Sequence, residues 1–248
     1  MRVVSWFSCG AASAVATKLA LQEYPDLIIA YCEVEEEHPD NKRFLKDCEK
    51  WFGKEIFILG NDKYKRSIHE VFKKTRYIAG VAGARCTKEL KKQVRIDFQQ
   101  PNDIQVFGYT AEEEHRLNRF IDANNEVNII APLIEHGVSK LDCLAMIQNA
   151  GIELPEMYKL GYKNNNCLGC CKAQSPAYWK KIEIDFPDMF QKMVDAEQML
   201  NVRICKYTKN KEEHRIFLTE LPEHIKPMDD TVDIQCGIFC EMAEQTYR

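Results

Sequence analysis

Apolar residues fall into short, nearly continuous runs, separated by stretches with helical spacing. Residues 2–7 read as a first strand, and Ser13 to Gln22 as a first helix. Leu27-Ile28-Ile29-Ala30-Tyr31-Cys32 is almost wholly apolar, the pattern of a parallel strand covered on both faces. Phe44, Leu45, Cys48 and Trp51 share one face of a helix expected over 41–51, with Gly53 closing it and the next strand at 56–59. Further along, the pattern predicts a helix over 67–75, a small-residue loop over 77–84 and a basic helix over 86–96. A fourth strand is expected over 104–108, and a loop over 109–120 leads into a polar helix. A fifth strand over 127–130 stops at Pro132, and Ser139 and Gly151 bracket a helix over 140–149. Residues 152–171 read as loop-rich and 176–200 as helical with a break near Pro187. Residues 205–248 read as a polar tail without clear periodicity. Strands alternating with helices at these lengths predict an α/β fold, a doubly wound (Rossmann-like) parallel sheet. The expected division is a sheet domain over 1–171 and a cysteine-containing, helical and irregular extension over 172–248.

Composition narrows the function classes. The net charge of −4 gives no global basic field for nucleic acid or an anionic membrane, although a local basic patch stays open. No apolar run approaches the roughly 20 residues of a membrane span, and no basic-then-apolar leader is present. The expectation is a cytoplasmic protein with no membrane partner. Eleven cysteines are the outlier. Their odd number argues against a disulfide scaffold. Cys167, Cys170, Cys171, Cys236 and Cys240 cluster, which favours metal or thiol chemistry. Cys32, Cys48, Cys143 and Cys205 are isolated and read as small buried hydrophobes.

Four stretches carry candidate chemistry. Ser8-Cys9-Gly10-Ala11-Ala12-Ser13 joins the first strand to the first helix through small residues, so unpaired helix N–H groups can face an anion. An ordinary tight βα turn would look the same. Cys167-Leu168-Gly169-Cys170-Cys171 places two thiols three residues apart, half of a four-ligand site, with Cys86, Cys171, Cys236 and Cys240 available to complete it. A metal-free redox pair is the alternative, and spacing does not choose between zinc and an iron–sulfur cluster. Arg85-Cys86-Thr87-Lys88-Glu89-Leu90-Lys91 sets a thiol at the start of a basic helix, where cations favour the thiolate and could hold a phosphate or sulfate. A solvated basic face is the plainer reading. After Gly108, Arg116 and Arg119 share a helical face that could clamp an anion, or pair with Glu112, Glu113 and Glu114. His38 and His115 are acid–base candidates that would equally suit the surface.

Together these residues resemble the phosphoadenylyl-sulfate (PAPS) reductase family, within the adenine nucleotide alpha-hydrolase superfamily. Ser8 to Ser13 is similar to the family's phosphate loop in its relaxed Ser-x-Gly-x-x-Ser form, with Cys9 and Ala12 in place of the usual glycine and acid. His38-Pro39-Asp40-Asn41 resembles the segment after strand two. The run Pro132-Leu133-Ile134, Leu154-Pro155, Tyr158, Gly161-Tyr162 and Cys167-Leu168-Gly169-Cys170 resembles the approach to the second cysteine pair. At the earlier pair, Arg85 stands in the first position and Cys86 in the second. Gln235-Cys236-Gly237-Ile238-Phe239 resembles the reductases' Glu-Cys-Gly-Ile/Leu-His tail.

The resemblance implies an adenine-nucleotide-dependent enzyme of sulfur metabolism. Ser8, Gly10 and Ser13 would cradle phosphate of ATP or PAPS, with Lys88, Lys91, Arg116 and Arg119 neutralising charge. Cys86, Cys167 and Cys170, with Cys171 or a tail cysteine, would hold a [4Fe–4S] cluster or zinc. Cys236 would be a mobile catalytic thiol. Two reactions fit: reduction of a sulfonucleotide by thiol attack, or ATP-dependent sulfur transfer to nucleic acid through a three-cysteine cluster. The implied partners are the nucleotide, a thiol reductant protein, nucleic acid for the second reaction, and a second copy of the chain. A non-catalytic nucleotide-binding protein is the third reading.

Overall fold

The computed structural model describes residues 1–229 apart from 82, 166 and 210. Cys236 and Cys240 therefore lie outside the described residues. Five parallel strands form the central sheet: β1 (Val3–Phe7), β2 (Ile28–Cys32), β3 (Ile56–Leu59), β4 (Ile104–Val106) and β5 (Asn128–Ile130). Their order is β3-β2-β1-β4-β5, so the chain winds one way from β1 and then returns to β1's other edge. The register pairs Val4 with Ile28 and with Gln105, and Ile29 with Ile56. This is the expected Rossmann-like doubly wound arrangement. Its switch point, where open α/β sheets bind ligands beyond the strand carboxyl ends, lies between β1 and β4.

Helices cover both faces, which is why β1 and β2 read as unbroken apolar runs. Helix α1 (Ala11–Glu23) is built from small residues and buries Ala11, Ala14, Val15, Ala16, Leu19 and Ala20. Ser5 and Thr17 satisfy each other's hydroxyls at 2.7 Å beneath it. Helix α2 (Asn41–Phe52) buries Phe44, Leu45, Cys48 and Phe52 and ends at Gly53, whose φ of 67° is the left-handed cap glycine tolerates. Phe7 stacks on Phe44 and meets Phe52 edge-on.

A second apolar cluster lies beyond the sheet. Helices α3 (Ile68–Thr75), α7 (Pro176–Asp185) and α8 (Pro187–Leu200) close around Trp179, Phe72, Ile182 and Met193. The cluster takes in Val34, Met157 and Leu168 as well as Ile204 and Leu218, so it crosses position 171. In sequence between α3 and α7 come α4 (Gln93–Phe98), α5 (Glu114–Asp122) and α6 (Lys140–Asn149), the last packed on α1 with Cys143, Leu144 and Ile147 in the first apolar cluster. Among the described residues, no helix is long and apolar enough to cross a membrane.

Three local expectations need correction. The loop over 77–84 contains a minimal antiparallel pair, Ala79–Gly80 with Gly83–Ala84. The basic helix is π-helical over Thr87–Lys92, after α-helical residues at 85–86 and before α4. The tail is not structureless over its described part: β6 (Cys205–Lys209) and β7 (Glu212–Ile216) form an antiparallel hairpin. Its apolar signal is weak because residues 211–215 are exposed. A buried carboxylate fastens the hairpin instead, with Glu197 accepting from Ile204 N at 2.8 Å and Leu218 N at 2.7 Å.

Candidate functional site

The β1–α1 loop is a closed hydrogen-bonded turn. Ser13 Oγ accepts from Ser8 N and from Ser8 Oγ, both at 3.0 Å, and donates to Gly10 O at 2.9 Å. Ser13 therefore shapes the loop, while Ser8 is exposed. Cys9 is fully buried with φ 54°, a left-handed conformation in which glycine is free of strain. Asn165 Nδ2 donates to Cys9 O at 2.6 Å and to Asn41 Oδ1 at 2.8 Å, and Ala11 N donates to Tyr158 Oη at 3.3 Å. Gly108, after β4, lies directly against this loop. A Cβ there would sit 2.7 Å from Ser13 Cα and 2.8 Å from Ser13 N. That backbone contact requires glycine.

A crevice of about 1000 Å³ opens at this point, with Ser8, Gly10, Ser13 and Gly108 in its wall. Lys91, Lys92, Arg95, Arg116, Lys140 and Lys163 also line it, against the carboxylates of Glu112 and Glu113. A chain of net negative charge has thus gathered cations around one opening. Arg116 is exposed, pairs with Glu113 and lies over the Tyr109 ring, while Lys140 Nζ donates to Asn164 Oδ1 at 2.5 Å. His115 lines the crevice. His38 does not, and its Nδ1 accepts from Asp40 N at 3.1 Å. Lys88 and Arg119 are exposed and line neither this crevice nor the cavity beside it.

The adjoining cavity, of about 400 Å³, is lined by Cys86, Cys167 and Cys170. Thr87, Lys91, Lys163 and Asn164 belong to both walls, so the two spaces meet there. The π-helical turn makes this possible. Its wider winding carries Cys86 to the cavity and Thr87 and Lys91 to both spaces. Cys171 is buried behind Cys86, with the two sulfurs 3.7 Å apart. The Cys171 thiol donating to Cys86, together with Lys172, the Thr87 N–H and Lys91, holds Cys86 below the ordinary thiol range despite its burial. Cys171 is pushed the other way by that same bond and by burial. Burial also raises Cys167.

Lys91 is fixed from behind. Its Nζ donates to Glu37 Oε1 at 3.0 Å, and Asn41 Nδ2 donates to Glu37 Oε2 at 3.0 Å. Tyr31 Oη donates to the same carboxylate. Burial works against the Lys91 ammonium, but the Glu37 carboxylate raises it by charge and by hydrogen bond, so it stays charged.

Among the described residues, no three His, Cys, Asp or Glu side chains converge on a single metal-ion position. The donor set is all sulfur, arranged around a cavity with Lys91 and Lys172 in its wall. That is the chemistry that soft metals and iron–sulfur clusters accept. Cys48, Cys143 and Cys205 are buried and packed, as their isolation predicted. Cys32 departs from that expectation, being only partly buried and lining the crevice.

Glu37, Arg95, Lys163 and Asn165 were not singled out by sequence reasoning. Lys163 and Asn165 sit just before the Cys167 cluster, and Arg95 follows Lys91 by one helical turn. Proximity to a motif was the available signal. No protein-family model matches the chain, and no curated protein matches it. Fold and site together define the class: a doubly wound α/β protein with a cationic crevice at its switch point and a thiol-lined cavity opening beside it.

Proposed function

We propose that this chain is an adenine-nucleotide-dependent enzyme of sulfur metabolism, resembling the PAPS reductase family. The observation that carries the reading is the shared wall. Thr87, Lys91, Lys163 and Asn164 line both the phosphate-loop crevice and the thiol cavity. A nucleotide held at the Ser8–Ser13 loop would then place its reacting group towards sulfur chemistry. Cys86, Cys167 and Cys170 would hold a [4Fe–4S] cluster or zinc, with Cys171 in reserve behind Cys86. Such a group would supply a bound metal able to take part in sulfur chemistry. Lys91, held charged by Glu37, would neutralise an anion at the junction, and Arg116 one at the crevice mouth.

Two reactions share this arrangement. Sulfonucleotide reduction requires a mobile thiol, assigned to Cys236 outside the described residues. ATP-dependent sulfur transfer to nucleic acid requires three cysteine ligands and a cationic approach. The three thiols lining the cavity and the lysines at its junction favour the second. Anaerobic purification followed by visible absorption and iron, sulfide and zinc analysis tests the metal. A colourless protein holding neither iron nor zinc would refute the metal assignment. Equilibrium binding of ATP, PAPS and its dephospho form tests the nucleotide. Failure of all three to bind would remove the reading altogether, and Cys236→Ser with full turnover would remove the tail thiol.

A further inference from the structure

Lys140 is the first residue of α6, a position where the helix N–H groups disfavour a cation. The rest of that helix start follows the usual chemistry, with Ser139 and Asp142 forming a capping box. The lysine is half-buried in the crevice wall, its ammonium 5.4 Å from the centre of the Tyr158 ring. It donates to Lys163 O and, at 2.5 Å, to Asn164 Oδ1. Among the described residues it forms no salt bridge. Glu113 pairs instead with Arg116, and Glu112 accepts from the Lys140 backbone N–H at 3.4 Å. Burial works against the ammonium, as does Lys163, and the two carboxylates offset this in part.

The two acceptors belong to the wall common to the crevice and the thiol cavity. Lys163 and Asn164 line both spaces, Asn165 lines the crevice and Cys167 the cavity. Among the described residues, no backbone–backbone hydrogen bond holds 163–165. Side chains hold it instead. Lys140 grips one side, and Asn165 Nδ2 ties the other to Cys9 O and Asn41 Oδ1. The Asn165 N–H also meets Tyr158 Oη, which accepts from Ala11 N of the phosphate loop. A segment tied by a few side chains opens at lower cost than one held in a backbone ladder. A lysine kept half-buried at an unfavourable helix position, to make two of those ties, breaks a local rule where the fold needs a fixed wall.

We propose that Lys140 is a positioning residue: it fixes Lys163-Asn164 as the partition between the two spaces, and through this partition an anion in the crevice restricts access to Cys167 and Cys170. An anion at the phosphate loop attracts the Lys140 and Lys163 ammoniums and so tightens the segment between them. The positioning role stands on the hydrogen bonds alone. The coupling rests on the phosphate-loop reading of the function proposed above.

The test uses the full metal-free chain, pulsed with iodoacetamide and mapped by peptide. Lys140→Met is expected to raise labelling of Cys167 and Cys170 about fivefold. Asn164→Ala, at an exposed residue, should raise it about twofold, and serves if the methionine variant does not fold. Lys140→Arg, which can donate to both acceptors, should return labelling to within about twofold of wild type. Cys143, buried one turn after Lys140 on α6, is the control, since unwinding of that helix would label it too. Inorganic pyrophosphate should slow wild-type labelling of Cys167 and Cys170 about threefold. That protection should be lost in Lys140→Met and weakened in Asn164→Ala, which removes no charge. Unchanged labelling in both variants, or labelling of Cys143 in step with Cys167, overturns the positioning role. Protection that survives Lys140→Met, or is undiminished in Asn164→Ala, overturns the coupling. If labelling depends on Lys140 but pyrophosphate does not protect the wild type, the phosphate-loop reading fails and the positioning role stands.

Discussion

The phosphate-loop crevice and the thiol cavity adjoin, yet they are assembled in different ways. The crevice floor is made by neighbours in sequence: β1, the three-residue turn Ser8-Cys9-Gly10 and the start of α1, closed by Ser13's own hydroxyl. Gly108, Tyr158 and Asn165 come from afar, and each meets the loop's backbone. The thiol cavity draws Cys86 from a π-helical turn and Cys167 and Cys170 from a loop about eighty residues later. Its supporting core is gathered around Trp179 from segments spread between Val34 and Leu218. A locally closed loop is preorganised by few contacts. A site built across the chain depends on the packing of everything behind it. Lys91 and the segment Lys163-Asn164 are where the two designs meet.

The most severe way to break this comparison is at the junction. Lys91→Met leaves Glu37 buried among Tyr31 and Asn41 without its cation, and is expected to cost about 2–3 kcal/mol of stability in a urea melt, less than a fully buried pair because the Lys91 side chain is partly solvated. Adding Glu37→Gln should return much of that loss. Were Lys91→Met harmless, the junction would be a passive surface rather than the shared support of both spaces.

Gly108→Ala strikes the crevice alone. The added methyl meets Ser13 backbone at 2.7 Å, so about 1–3 kcal/mol should be lost as the loop is displaced. Phosphate or nucleotide affinity should fall with it, while the alkylation behaviour of Cys86 remains. Simultaneous loss of both would mean that the two regions do not fold separately enough to be compared.

Cys86 reads the thiol side. Its thiolate is favoured by the Cys171 thiol, Lys172 and the Thr87 N–H, so its reactivity should rise with pH at a value below the roughly 8.5 of a free cysteine. Pulsed iodoacetamide labelling with peptide mapping across pH measures this in metal-free protein. Cys48 and Cys143, pushed up by burial, should stay unlabelled. Cys171→Ala, which removes the donor, should move Cys86 back towards the ordinary value. A Cys86 profile that does not respond would disprove the sulfur contact as its cause.

The smallest effects are expected at Lys88 and Arg119. Both are exposed and outside the two cavities, so alanine at either should change stability by no more than about 0.5 kcal/mol and nucleotide affinity less than twofold. A larger loss of affinity at either would extend the site beyond the crevice walls.

Where the chemistry is local, residue order was enough. The strands, the α1 and α2 boundaries, the Ser139 cap and the position of the β1–α1 loop all follow from periodicity and turn residues acting within a few positions. Cys48, Cys143 and Cys205 were legible as core because a lone thiol on an apolar face packs like any small hydrophobe. The β6–β7 hairpin was not legible, since its anchor, Glu197, belongs to another element and its exposed strand residues carry no alternation. Nor could order rank the cations of one basic helix. Lys88, Lys91 and Arg95 differ only in which way the π-helical turn aims them: Lys88 to solvent, Lys91 to Glu37, Arg95 to Phe107 and Phe120. Hydrogen bonding within a turn and hydrophobic spacing are properties of neighbours, so the sequence alone determined the doubly wound sheet and the loop at its centre. Burial and charge pairing are properties of what the fold brings alongside. Only the tertiary structure could decide that the thiols face a cavity opening on that loop, and that one arginine in the crevice wall rests on two aromatic rings rather than in an ion pair.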